Sequence, residues 1–269
     1  MGKRIDFLYP FHFDGRGRKT AIERLKKSLH SIKDQDVNIC ICNTSKECIW
    51  GDIKKFNPKY VHKYNDSGFC KPLTINYGVK KLVDTPYFIL SDIDLIYQKD
   101  YVKLLMNYTH SPQCYRVVPY NFNMSIRASQ IKSAEQCINN LNKIDKYRTG
   151  YGIAPGNGLI HTKSFYFIGG YDEQIHGYGP EDADFNERIK YINCYVEDKN
   201  KSLTTFHIYH PLAKQNSRTF SYEKEFQMRK KWLYENLNGF DFFKCDNKEW
   251  FLNKLRIINA NWQKSWGEI

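Results

Sequence analysis

The sequence predicts an α/β domain with a mixed, mostly parallel central sheet flanked by helices. Three observations predict it. Short apolar runs at residues 5–9, 37–42 and 87–90 alternate with amphipathic stretches at 20–32 and 72–82. Strand, helix, strand at that spacing describes a βαβ unit. The run Tyr87-Phe88-Ile89-Leu90 is apolar throughout, as in parallel strands covered on both faces. Finally, the 269-residue chain is 41% apolar, which supports one large core and argues against disorder.

The elements follow in order. Ile5-Asp6-Phe7-Leu8-Tyr9 opens the chain as a strand, and a Gly/Arg-rich loop comes next. Over residues 20–32, Ile22, Leu25, Leu29 and Ile32 recur at helical spacing. Residues 37–42 form a buried strand, closed by the turn chemistry of Asn43-Thr44-Ser45. Lys59-Tyr60-Val61-His62 is a weaker strand. Pro72 suits the first turn of a helix over 72–82. After the strand at 87–90 come a helix over 100–108, a strand over 117–120, a helix over 129–144, a glycine-rich loop over 150–158 and a short strand over 159–161. A strong helical pattern covers 181–192, and a strand covers 204–209. From residue 221 onward aromatics alternate with charges over two helical stretches, one of them 223–236. With no internal repeat and no linker, residues 1–220 form the main domain, and 221–269 form a helical extension packed on it.

Composition narrows the class. The formal net charge is +12, which draws phosphates, nucleic acids or anionic headgroups. The charge is spread over pairs such as Lys26-Lys27, Lys54-Lys55 and Lys80-Lys81, with no basic tail or nucleic-acid motif, so no nucleic-acid partner is expected. Aromatics reach 16%, with 20 tyrosines. Tyrosine can line a cleft for a sugar, although composition alone is equally met by a tyrosine-rich core. The eight cysteines include no C-x-x-C pair, which argues against a zinc ribbon, and the thiols are expected to be reduced. The start MGKRIDFLYPF lacks the apolar length of a signal peptide, and no run approaches the ~18 apolar residues of a membrane span. A soluble cytoplasmic protein is expected, with peripheral contact at the inner membrane face left open. Phe226, Trp232 and Leu233 lie among Lys224, Arg229, Lys230 and Lys231. That stretch is either a helix covering the sheet or a basic amphipathic face; without a clean apolar stripe, packing is favoured.

Two segments carry chemistry. Ser91-Asp92-Ile93-Asp94 directly follows the buried strand at 87–90. Side chains alternate along extended backbone, so Asp92 and Asp94 can share a face. Paired carboxylates repel unless a cation or donors separate them, and a hard divalent cation shares such oxygens with substrate phosphates. The second segment runs Gly169-Gly170-Tyr171-Asp172-Glu173, then His176-Gly177-Tyr178-Gly179-Pro180-Glu181-Asp182-Ala183-Asp184. Pro180 and the acids suit a helix start. An ordinary helix start does not account for the glycines with Tyr171 and Tyr178 between them. Glycine allows close backbone approach to a ligand, and tyrosine can stack on a sugar face.

Taken together, this order of segments, with a downstream His207-Ile208-Tyr209-His210, resembles the inverting GT-A glycosyltransferases, most closely the β-1,4-galactosyltransferases and their bacterial family-2-like relatives. The resemblance spans about residues 4–216. It implies a Rossmann-like nucleotide-diphospho-sugar transferase fold and transfer of a sugar, with galactose or N-acetylhexosamine favoured, from a UDP-sugar to a glycan or glycoconjugate hydroxyl. It implies Mn2+ (or Mg2+) held by Asp94 and His210, with His207 a further ligand. Asp182 is implied as general base, and Glu181 and Tyr178 as acceptor contacts. Asp92 is expected near the ribose. Pro10, Phe11 and Arg16 or Arg18 are expected at the nucleotide, with Lys71 and Asn76 at the diphosphate and base, although Lys71 alone reads as a surface lysine. Gly156 and Gly158 would wall the donor sugar, and Arg188 would be a structural partner of the carboxylates. Two departures matter: Tyr178 stands where the family has Trp, and His207 where it has a sulfur ligand. The rival classes are a non-catalytic glycan- or nucleic-acid-binding protein and a metal-dependent hydrolase.

Overall fold

A computed structural model describes residues 5–110, 116–133, 136, 151–153, 156–173, 175, 181–190, 195–198 and 202–211. The first half alternates strand and helix: β1 (Ile5–Phe11), α1 (Arg18–Ile32), β2 (Val37–Asn43), α2 (Trp50–Ile53), β3 (Lys59–His62), α3 (Lys71–Leu82) and β4 (Tyr87–Leu90). Then follow β5 (Leu95–Tyr97), α4 (Tyr101–Met106), β6 (Arg116–Val118), β7 (Tyr120–Arg127), β8 (Tyr151–Ile153) and β9 (Gly158–His161). The last described elements are α5 (Thr162–Phe167), α6 (Glu181–Lys190), β10 (Tyr195–Glu197) and β11 (Thr204–Tyr209).

Seven strands form one sheet in the order β10-β6-β9-β4-β1-β2-β3. β1 runs parallel to β2 and β4, β2 to β3, and β6 to β10, while β9 is antiparallel to both β4 and β6. The remaining four make a smaller sheet, β5-β11-β7-β8.

Alternation along β1 and β2 explains the layering. Phe7, Tyr9, Phe11, Ile39 and Ile41 pack on one face with Ile22, Leu25 and Leu29 of α1. Leu8, Cys40 and Cys42 pack on the other with Ile75 and Val79 of α3. Burying each such large apolar side chain contributes roughly 1.5–3 kcal/mol, so both helices are held by their apolar stripes. Cys40 and Cys42 are buried thiols within this core.

Several expectations are corrected here. Residues 151–153, expected in a glycine-rich loop, form β8 against β7. The strand expected at 117–120 is two strands, because Pro119 interrupts the ladder between β6 and β7. Of the helix expected over 129–144, Ala128–Gln130 is a 3-10 turn, and residues 134, 135 and 137–144 lie outside the described residues. The extension at 221–269 also lies outside them. Among the described residues, no helix is long and apolar enough to cross a membrane.

Candidate functional site

The carboxyl ends of β1, β2 and β4 meet on one edge of the large sheet, where open α/β sheets bind ligands. There the chain leaves β4 through Ser91-Asp92-Ile93-Asp94 and enters β5 of the smaller sheet. β11 pairs antiparallel with β5, setting His207 opposite Leu95, and the Ile208 amide donates to the Asp94 carbonyl at 2.8 Å. His207 therefore lies beside Asp94. Residues three apart on a regular strand point to opposite faces, but the pairing of β11 with β7 shifts register between His207 and Tyr209. His210 thus returns to the same side. Its Nε2 is 3.0 Å from Asp94 Oδ2, and His207 Nε2 is 3.5 Å from Asp94 Oδ1. One ligand atom from each of Asp94, His207 and His210 lies within 4.8 Å of the others.

The surroundings set the charge of Asp94. Burial pushes its carboxyl pKa up, but His207, His210 and the Arg24 guanidinium at 3.9 Å outweigh it and hold the group below the usual carboxylate range. His210 is raised, first by its bond to Asp94. Asp94 Oδ1 is buried and accepts no hydrogen bond among the described residues. A buried carboxylate oxygen without a donor, beside two imidazoles, fits a divalent cation of the Mn2+ type. His210 Nδ1 lies 2.9 Å from the Pro211 carbonyl, a contact that directs Nε2 toward Asp94.

The second aspartate turns to a different partner. Asp92 Oδ1 is 3.1 Å from Lys71 Nζ, while Asn157 accepts from the Asp92 amide at 2.6 Å and donates to Asp92 Oδ2 at 3.1 Å. Lys71 Nζ also meets Asp182 Oδ2 at 3.1 Å and Glu181 Oε1 at 3.9 Å. Lys71 is therefore no surface lysine: its side chain is 13% exposed and lies among three carboxylates. Burial alone would lower its pKa; Asp182, Asp92 and Glu181 raise it well above the ordinary lysine value. Glu181 is pushed up to about 7, first by burial and then by Asp182. Asp92 is raised, mainly by burial, with Lys71 opposing.

The first turn of α6 carries Glu181 and Asp182, and two buried contacts fix that helix. Arg188 binds Asp184 Oδ2 at 2.7 Å and donates to the Ile168 and Gly170 carbonyls at 2.7 and 2.8 Å, as expected of a structural arginine. Phe185 stacks on Tyr171 with centroids 4.3 Å apart. Tyr171, read from the sequence as a sugar platform, is thus wholly buried core. Gly156 lies against the Asp182 carboxylate: a Cβ there would come within 2.5 Å of Oδ2.

The other expected residues scatter more widely. Pro10 lies partly exposed at the carboxyl end of β1, but the Phe11 side chain is fully buried in the core and offers nothing to a ligand. Arg18 pairs with Glu47 at 3.2 Å and donates to the Cys48 carbonyl. Asn76 is buried and spends its amide on the Tyr171 backbone and Glu173 Oε1, which takes it away from the donor. Gly158, in β9, has φ +109, and a Cβ there would strike the Val117 carbonyl, so its glycine serves the sheet. The side chain of Arg16 and all of Tyr178 lie outside the described residues. Asn157, between the two expected glycines, was not foreseen; the signal was a polar residue in a glycine-flanked turn leading into a buried strand.

A family model described as the N-terminal domain of galactosyltransferase matches residues 135–211, the stretch that carries Asn157, Glu181, Asp182, His207 and His210. No curated protein matches the sequence. Among solved structures, GalNAc-T7 with UDP, GalNAc and Mn2+ superposes with a TM-score of 0.58 at 14% identity, covering 94% of this chain and 54% of that one. The catalytic domain of Drosophila β1,4-galactosyltransferase 7 in complex with xylobiose gives 0.48 at 16% identity, covering 84% and 80%. The fold is that of the GT-A glycosyltransferases. This chain spans about half the length of the GalNAc-T7 chain.

Proposed function

We propose that this protein is a metal-dependent, inverting glycosyltransferase. It moves a sugar, with galactose or N-acetylhexosamine favoured, from a UDP-sugar to a hydroxyl of a glycan or glycoconjugate acceptor. The observation that carries the reading is the meeting, at one sheet edge, of the Asp94-His207-His210 group and the Glu181-Asp182 carboxylates at the start of α6. The galactosyltransferase match over 135–211 and the GT-A fold support it.

Asp94, His210 and His207 would hold Mn2+ (or Mg2+), which when bound neutralises a diphosphate and stabilises it as a leaving group. Asp182 acts as general base. Its side chain is 20% exposed, and its Oδ1 accepts no hydrogen bond among the described residues. It takes the acceptor's proton as that oxygen attacks the anomeric carbon, and one displacement inverts the centre. Glu181, adjacent on α6 and pushed up to about 7, is partly protonated near neutral pH and can donate a hydrogen bond that orients the acceptor. Tyr178 supplies a stacking face, and Asp92 with Pro10 borders the nucleotide.

A UDP-sugar screen of purified protein with Mn2+ tests the reading, followed as thermal stabilisation and nucleotide release. Acceptor-dependent release that stops in chelator is expected. Release at the same rate without acceptor would make the protein a hydrolase, and sugar binding without nucleotide binding would make it a glycan-binding module.

A further inference from the structure

Resting on the transferase reading, we propose that Lys71 is a positioning residue that holds Asp182 in place for proton transfer, and not a ligand of the donor diphosphate.

Its ammonium group already faces two carboxylate oxygens at hydrogen-bond distance and a third close by. Asp92 Oδ1 and Asp182 Oδ2 both lie 3.1 Å from Nζ, and Glu181 Oε1 lies at 3.9 Å. A phosphate approaching Nζ would have to stand beside these carboxylates, where like charge repels it. Both ends of the clamp are themselves fixed. On one side Asn157, 4% exposed, grips Asp92 by its amide and its carboxylate, so Oδ1 faces the lysine. On the other, Gly156 closes against the Asp182 carboxylate and leaves no room for a side chain. The lysine's own backbone is held through α3, where Asn76 binds both backbone groups of Tyr171. Lys71 is also the first residue of α3, and a cation is disfavoured at a helix N-terminus. Its carboxylate partners answer for its presence there. Lys71 thereby joins the end of β4 to the start of α6, where Asp182 lies 111 residues beyond the lysine. It holds Oδ2 of Asp182 and so sets the orientation of that carboxylate.

The test separates binding from turnover. UDP affinity in the presence of Mn2+ is measured by calorimetry for the full chain, then kcat and donor KM for transfer. Lys71→Met should bind UDP within threefold of wild type while kcat falls at least 30-fold, and Lys71→Arg should restore at least a tenth of wild-type kcat. A tenfold or larger loss of UDP affinity with kcat kept would make Lys71 a donor ligand and overturn the proposal, as would an unchanged kcat. Should Lys71→Met fail to fold, Lys71→Met/Asp182→Asn removes one of the facing charges, and the same affinity criterion decides. If the wild type binds no UDP and transfers no sugar, the transferase reading fails by itself. The clamp is then judged on stability: Asp182→Asn should recover at least half of the urea midpoint lost in Lys71→Met, and no recovery would refute it.

Discussion

Replacing Glu181 by Gln should make the protein more stable at alkaline pH than at acid pH relative to wild type. Glu181 is 4% exposed, and its folded-state pKa of about 7 lies above the ordinary 4.5. The raised value means that folding favours the protonated acid. Below pH 4.5 the carboxyl is protonated folded and unfolded alike, and its contribution is fully present. As pH rises through 4.5 toward 7, the unfolded chain ionises first and that contribution is lost. At 1.36 kcal/mol per pH unit, the difference between the two values amounts to about 3 kcal/mol once pH passes 7. The Gln variant has no such loss. Its stability relative to wild type should therefore rise by about 2 kcal/mol between pH 5 and pH 8. Urea denaturation of both proteins at half-unit steps reads this directly, because other titrating groups cancel in the difference. A flat difference across that range would refute the claim that Glu181 is a buried acid under repulsion from Asp182.

Other outcomes follow from the same geometry. Asp94→Asn should abolish the rise in melting temperature that Mn2+ gives the wild type, since Asp94 lies between both imidazoles; an undiminished rise would move the metal elsewhere. Asp182→Asn should lower kcat by roughly 10²–10⁴-fold with UDP affinity near wild type, while Glu181→Gln mainly raises the acceptor KM. The reverse pattern would swap their roles. Arg188→Met strands Asp184, 2% exposed, without its cation, and should cost about 3–5 kcal/mol in urea denaturation, as breaking a buried pair does. A cost under 1 kcal/mol would mean that the arginine does not hold α6.

The larger sheet was largely legible because its signals are local. The apolar runs at β1, β2 and β4 and the helical spacing of Ile22, Leu25, Leu29 and Ile32 each fit within one window of chain. In the smaller sheet β11 was legible at 204–209, but β5 and β8 were not. β5 has three residues, too few for periodicity, and β8 hides in a glycine-rich stretch. At the site, Asp92, Asp94, Asp182 and the two histidines stood out as motifs, and the fold brings them to one edge. Lys71 did not, because its meaning depends on Asp92 and Asp182, which no local pattern links to it. Tyr171 misled for the opposite reason: glycines beside an aromatic look like a binding loop, yet Arg188 needs the Gly170 carbonyl and Phe185 needs the tyrosine ring. Asn76 misled similarly, since a buried amide serving backbone resembles a ligand contact until its partners are known.

The four residues Ser91 to Asp94 are one seam along which the two sheets are sewn together. Asp94 lies at the end of that seam, while His207 belongs to the last described strand of the smaller sheet and His210 directly follows it. An ion held by all three is therefore a rivet through the seam, tying the end of β4 to a segment more than a hundred residues downstream. Such a rivet would hold His207 and His210 to Asp94, and the order of β11 would become a gauge of cation occupancy. Amide exchange along Thr204–Tyr209 should slow with added Mn2+, while exchange in β1 and β2, stitched by their own ladder, stays as it was.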